Sequence, residues 1–477
     1  MKFSNFLKHI IGTLLSRFSG FLREMVFAWY LGGRFEADAL FVAFRFTNFF
    51  RDIVAENSAT RAFIPVYTKW ENSKTFWTIF IFFLLLSASI FSILFSFSPL
   101  FLKIFAPGFS FEKDKFVFLV KITRLSLPFL VLVSLSAFNM AILHKVQKFF
   151  VASFSPVFFN LGIIFFALLA YFKILPYENI VKYFAIGFVL GGFLQFLFLF
   201  SFSYKYYPKF DKFDFKSESF KSFLKILLSV GLSSMFLRVS LLINTIIASF
   251  LKEGSIAYLN YAYRLIHLPI GLVGVGVSTV ILPSISEKLK KFKNVFYEIE
   301  EAIVVNLHFT LPIMLFYIFE GLDVVRIVYQ RGVFSYNDAI NVYKAMLYYS
   351  MTIPFFSLSG IFLNYFYAKL NSRIPNYSFV ISTFVNLSVA LLFVKKMGFV
   401  ALAMATSLAS FAQFLFLFLK SDFKFAYPIK LRGVFLLNLI WLGFLIIFKN
   451  FWLKFLVMIG IYLFLIYAYT RRVKKNA

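Results

Sequence analysis

Eleven charged side chains stand inside long apolar runs: Arg17, Arg23, Glu24, Asp38, Arg45, Arg51, Asp52, Glu56, Arg124, Arg238 and Arg264. A charge at the centre of a bilayer costs about 2.5–3.5 kcal/mol on insertion scales, so each needs a partner, a cavity or a function. Asp38, Arg45 and Asp52 recur every seventh residue and share one helix stripe, which Glu56 continues a turn further on. Arg17 and Glu24 share another. Two readings compete for these groups. Internal pairing suits the carboxylates, and Asp38 could simply neutralise Arg45. The four acids of this stretch cannot satisfy Arg17, Arg23, Arg51 and Arg264 as well, and an excess of buried cation calls for a bound anion. Guanidinium forks hold phosphate or diphosphate oxygens bidentately. Arg34 and Lys103, near the ends of apolar runs, snorkel to water.

Other chemistries find no footing. The chain has no cysteine, which excludes disulfides, thiolate metal sites and cysteine nucleophiles. His9, His144, His267 and His308 are scattered without metal-ligand spacing, so neither metal nor cofactor is expected. There is no Gly-rich phosphate loop before a lysine, no HExxH and no acidic pair on a large soluble loop, which argues against an enzyme. A net charge of +28 suits nucleic acid or anionic lipid. In so apolar a chain, lipid and the positive-inside rule explain it and no nucleic-acid partner is expected.

The elements that hold these charges follow from composition. The chain of 477 residues is 61% hydrophobic and 15% charged, with mean hydropathy +0.83. Soluble domains lie near one half and one quarter, so lipid solvates this chain. A spanning helix needs about 20 apolar residues. The runs are continuous rather than alternating, which disfavours a β-barrel. Fourteen helical spans are expected, at 7–31, 36–66, 76–105, 116–143, 150–172, 181–203, 220–251, 256–285, 296–320, 338–368, 375–394, 398–419, 431–448 and 452–470. Arg17, Arg23 and Glu24 interrupt the first run and no small-residue cleavage site follows, so it reads as a span rather than a cleaved signal. The even count puts both termini on one side. With that side cytoplasmic, inside segments carry 26 Lys and Arg against 11 outside, Lys454 counted among the latter.

An internal repeat is visible. Pro128 and Asn160 lie 32 residues apart, as do Pro354 and Asn386, at an offset of 226. Ala43-Phe44-Arg45 likewise matches Ala262-Tyr263-Arg264, each followed by a proline, Pro65 or Pro283. Chance in a Phe- and Leu-rich background competes with a repeat, and two matches in the same order favour the repeat. Copies six spans apart are parallel, related by an axis along the membrane normal. The expected lobes are residues 1–217 and 218–424, with 425–477 an unmatched pair of helices. Pro269, Gly271, Gly274 and Gly276 let the eighth span bend or pack closely, and both readings stand.

Several stretches resemble the MurJ/MviN lipid II flippases of the MOP exporter superfamily. They are Thr13-Leu-Leu-Ser16-Arg17-Phe-Ser-Gly20-Phe-Leu-Arg23-Glu24, Ala37-Asp38-Ala39-Leu-Phe-Val-Ala43-Phe-Arg45 and its continuation through Asn48, Arg51, Ala55-Glu56 and Pro65. Thr123-Arg124 with Pro128, Ser155-Pro156 with Asn160, Tyr261-Ala262-Tyr263-Arg264, Leu268-Pro269 and Arg331-Gly332-Val-Phe334 extend it along the chain. The resemblance implies two six-helix lobes around a cationic cavity, with a last helix pair forming a groove for a polyprenyl tail. It implies transport of lipid II, the undecaprenyl-diphosphate-linked muropeptide, from the cytoplasmic to the periplasmic leaflet by alternating access. The protein would be a monomer in the bacterial inner membrane, among membrane lipids, with both termini cytoplasmic. Arg17, Arg23, Arg51 and Arg264 match the family's cavity arginines and Asp38 its second-helix acid. Glu56 joins that substrate-binding set, with Ser16, Glu24, Arg45, Asp52 and Arg124 supporting or gating the cavity. The chain departs from the pattern at Asn57, where the family often has glycine. Asn244 and Ala390 stand where some members have sodium-binding aspartates, although Thr406 is retained. Losing both carboxylates speaks against sodium coupling, because a hard cation wants charged oxygens, and leaves the membrane potential as the drive. A flippase for another undecaprenyl-diphosphate-linked oligosaccharide is the chief rival. A cationic-drug exporter ranks lower, since its cavity should be acidic, and a membrane enzyme acting on lipid-linked sugars is the remaining one.

Overall fold

The computed structural model describes residues 3–54, 56–271, 285, 288, 295–369, 371–423 and 429–476; for 3–7, 10, 52–61, 229–238, 429–430 and 468–476 it describes the backbone alone. All regular structure among them is helical. The first half holds α1 (Phe3–Leu31), α2 (Phe35–Val54), α3 (Glu56–Lys69), α4 (Ser73–Ser96), α5 (Ser98–Phe105), α6 (Lys113–Ser126), α7 (Phe129–Lys145), α8 (Phe149–Phe154), α9 (Pro156–Tyr171) and α10 (Ile180–Ser203). Then come α11 (Glu218–Ser249), α12 (Ser255–Pro269), α13 (Phe296–Tyr329), α14 (Tyr336–Ser350), α15 (Thr352–Ala368), α16 (Arg373–Met397), α17 (Val400–Lys420), α18 (Ile429–Ile447) and α19 (Phe451–Asn476).

Each expected span falls on one of these helices or on a broken pair, the eighth over its first part. Among the described residues, eight helical segments are long and apolar enough to cross a membrane. Neither α1 nor α2, which carry most of the singled-out charges, is among them. The breaks have local causes. Pro128 separates α6 from α7 and Ser155-Pro156 separates α8 from α9, because proline cannot donate into the preceding turn. Some starts are capped: Asn72 accepts from the Thr75 amide at 2.8 Å, and Ser335 with Asp338 forms a reciprocal box at the start of α14.

The helices gather into two compact units, one of residues 1–257 with 331–334 and one of 258–330 with 335–477. The first centres on Phe63, Phe76, Phe83, Phe138 and Phe223. Its α9 and α10 meet through Gly162, Gly187 and Gly191, small residues that let backbones approach where no hydrophobic effect drives association. In that unit Gly332, at φ +60°, lies against Trp29, and the Val333 amide donates to the Trp29 carbonyl at 2.9 Å. The second unit centres on Ile303, Ile361, Phe362 and Tyr365, with a further cluster joining α13 to the last two helices around Phe316, Trp441 and Leu445.

Candidate functional site

The helix α1 turns Ser19 and Arg23 toward α9. Arg23 is only 5% exposed and Glu24 1%. Arg23 Nη2 donates to Glu24 Oε1 at 2.6 Å and Nη1 to Asn160 Oδ1 at 3.0 Å. Asn160 Nδ2 then donates to Ser19 Oγ at 2.8 Å, and Ser19 donates to the Ser16 carbonyl at 2.8 Å. Around the guanidinium stand the rings of Phe44, Phe27 and Phe159, at 5.1, 5.7 and 5.7 Å. Cation–π attraction of this kind strengthens where water is excluded. Both terminal nitrogens of Arg23 are thus committed to protein partners, and α1 is fastened to α9 through them.

The second helix does something different from simple self-neutralisation. Asp38, 5% exposed, does not spend its oxygens on Arg45. Its Oδ2 accepts from the Gly254 amide and its Oδ1 from the Ala257 amide, each at 2.7 Å. A carboxylate across the first turn of α12 satisfies amides that no helical carbonyl can reach and sits at the positive end of the helix dipole. Arg45 instead donates to Thr245 Oγ1 at 3.2 Å, tying α2 to α11.

The remaining expected residues are spread out. Arg17 is exposed on α1, with Ser16 half-buried beside it, and Arg51 is half-buried at the end of α2. Arg264 is half-buried on α12 in the second unit. Arg124 goes elsewhere: its Nε donates to Ser98 Oγ at 2.8 Å and to the Phe95 carbonyl at 3.2 Å, bracing the junction of α4 and α5. The side chains of Asp52, Glu56 and Arg238 lie outside the described residues. Asn244 is buried on α11. Ala390 is buried on α16, where Asn386 Nδ2 donates to Thr406 Oγ1 at 3.4 Å.

Two partnerships escaped the sequence reading. Asn160 marked the repeat, yet nothing in the sequence placed it against Arg23, 137 residues away. Lys454, counted among the outside loop charges, is instead 5% exposed and ion-paired with Glu320, itself 7% exposed. The span expected at 296–320 ends on Glu320, whereas α13 runs on to Tyr329, which leaves Glu320 well inside the helix and in need of a cation.

The profile of the family described as lipid II flippase MurJ matches residues 27–470. The probable lipid II flippase MurJ of Aquifex aeolicus (strain VF5) is 31% identical, over 88% of this chain and 83% of its own. That of Treponema pallidum (strain Nichols) is 30% identical, over 87% and 81%. A solved lipid II flippase MurJ in an inward closed conformation superposes with TM-score 0.84 at 28% identity, covering 98% of this chain and 99% of its own. An inward-facing multidrug resistance MATE family transporter of the MOP superfamily gives 0.69 at 14% identity, over 87% and 95%, a likeness of fold alone.

Proposed function

Because this chain belongs to the MurJ family of lipid II flippases, we infer that it carries lipid II, the undecaprenyl-diphosphate-linked muropeptide, across the bilayer. It is a transporter and not an enzyme. The observation that supports this best is a buried network of charged and polar side chains built into helices that lipid would otherwise make wholly apolar. Arg23 is held by Glu24 and Asn160 among aromatic rings. Paired with Glu24, that guanidinium is close to neutral, so the positive potential that favours a diphosphate falls to Arg17, Arg51 and Arg264. In this reading Arg17, Arg51 and Arg264 engage the diphosphate and Arg23 positions the helix that presents Arg17. Glu56 contacts the headgroup and Asp38 holds the start of the helix that carries Arg264, while Ser16, Glu24, Arg45 and Asp52 support the cavity and Arg124 braces the junction of α4 and α5.

The architecture proposed with it has fourteen crossings. Residues 1–217 and 218–424 form parallel repeats that rock about the cavity, and 425–477 carry the groove for the lipid tail. The protein works as a monomer in the bacterial inner membrane with both termini cytoplasmic. Asn244 and Ala390 stand in place of two carboxylates, which supports transport without sodium.

Complementation of a strain depleted of its own lipid II flippase tests the function. Rescue by the wild-type chain, and loss of rescue with Arg17→Ala or Arg264→Ala at unchanged membrane abundance, is the expected result. Failure of the wild type, coupled with rescue of a strain lacking a flippase for another undecaprenyl-diphosphate-linked oligosaccharide, would overturn it in favour of that substrate.

A further inference from the structure

None of the residues proposed to hold the headgroup lies in the segment joining α10 to α11, and its sequence is unusual. From Tyr204 to Lys216 it alternates bases and rings, with Lys205, Lys209, Lys212 and Lys216 interleaved among Tyr206, Tyr207, Phe210, Phe213 and Phe215. A solvated loop has no use for so many phenyl rings.

The structure gives this segment a fixed seat. The Ser73 hydroxyl donates to the Lys209 carbonyl, and the Trp77 indole N–H donates to the same oxygen at 3.1 Å. The Asp214 amide donates to Thr78 Oγ1 at 2.9 Å, while its carboxylate pairs with Lys74 at 3.1 Å. The Lys216 amide and the Lys74 ammonium hold that carboxyl below the usual range, so the fastening is charged at neutral pH. Thr75 donates to Ser219 at 3.1 Å just beyond. Tyr206 and Tyr207 turn inward onto the Phe76 cluster. The outer side is left uncovered: Phe210 is 70% exposed and Phe213 49%, with Phe215 and all four lysines exposed beside them. Asp211 and Glu218 share that surface, the former accepting from the Lys212 amide.

Position decides what such a surface meets. It lies against the first turn of α4 and follows the last turn of α10, both within segments long and apolar enough to cross a bilayer. The segment therefore sits where hydrocarbon gives way to headgroups. Aromatic rings favour that boundary, and lysines there are attracted to anionic lipid. We propose that residues 204–216 form an interfacial strap that binds anionic phospholipid headgroups of the adjoining leaflet. Phe210, Phe213 and Phe215 enter the boundary with the acyl chains, and Lys209, Lys212 and Lys216 meet the phosphates. The proposal rests on the membrane-spanning reading and is independent of which lipid is transported.

The absence of cysteine makes the test direct, since Phe213→Cys carries a unique label in the full-length chain. An environment-sensitive fluorophore on that position is read in nanodiscs of phosphatidylcholine alone and of phosphatidylcholine with phosphatidylglycerol. The expected result is a blue shift and protection from iodide quenching in the anionic discs. Replacing Lys209, Lys212 and Lys216 by Gln weakens that protection by roughly fivefold per lysine. A label equally exposed to iodide in both disc types overturns the proposal. So does protection that the Gln variant retains, or protection that appears only when cytosolic protein is added, which would mark a protein-docking surface instead. A single sharp thermal transition in every variant shows that the fold is unchanged, and the transport assay is not consulted.

Discussion

Arg23 and Glu24 are neighbours in the chain, and side chains one residue apart on a helix do not face each other. That is why their spacing gave no hint of pairing. The arginine is long enough to wrap round and close the pair at 2.6 Å, with Asn160 completing the set from α9. Removing one partner of a buried pair strands a charge, at a cost of about 3–5 kcal/mol. Glu24→Ala should therefore lower stability strongly in thermal unfolding of the detergent-solubilised chain, and adding Arg23→Ala should recover part of the loss. A single mutant unfolding with the wild type would show that the pair couples weakly. The residue types were legible from the sequence, since lipid makes every buried charge conspicuous. Their partners were not. Asp38 was set against Arg45 on a shared stripe, yet its carboxylate reaches Gly254 and Ala257 instead. Backbone amides at a helix start compete well for a carboxylate, and no spacing rule within one helix reveals them.

At the scale of elements, apolar runs located the helices because length and hydropathy suffice when the solvent is lipid. Their interruptions were harder to see. The expected span at 116–143 is two helices parted at Pro128, and 338–368 is parted at Met351. Close contacts between helices were not legible either, because a glycine reads alike whether it faces lipid or a neighbour. The structure separates the cases. A Cβ on Gly191 would run into the Phe159 backbone, whereas one on Gly443 meets nothing within 4 Å. Overpacking of this kind costs about 1–3 kcal/mol. Gly191→Ala should lower the unfolding temperature, while Gly443→Ala leaves it level or raises it, since alanine favours a helix over glycine by about 0.5–1 kcal/mol. Equal effects at the two sites would refute the close packing of α9 on α10. The two halves also share a device that the sequence did not suggest. Gln195 Nε2 donates to Ser155 Oγ at 3.2 Å in one, and Gln413 Nε2 to Ser378 Oγ at 3.3 Å in the other. The same kind of polar clasp thus joins a helix pair in each unit.

For the whole molecule the informative quantity is charge. In a chain with 49 bases against 21 acids, net charge +28, the distribution of the bases along the loops bears on its orientation in the membrane. The proposed cargo is an anion moved toward the positive side of the membrane, and that movement is favoured by about 2.3 kcal/mol per charge per 100 mV. On the proposed reading an ion gradient is then unnecessary, since Asn244 and Ala390 stand where the family resemblance puts carboxylates in some members. Proteoliposomes loaded with lipid II and clamped by a potassium diffusion potential separate the two drives. Replacing sodium by choline should leave the translocation rate unchanged. Collapsing the potential should slow it by an order of magnitude or more, since 100 mV acting on even one charge corresponds to roughly a fiftyfold bias at equilibrium. A rate that follows sodium and ignores potential would return the coupling to an ion site, and would require oxygen ligands other than the two missing carboxylates.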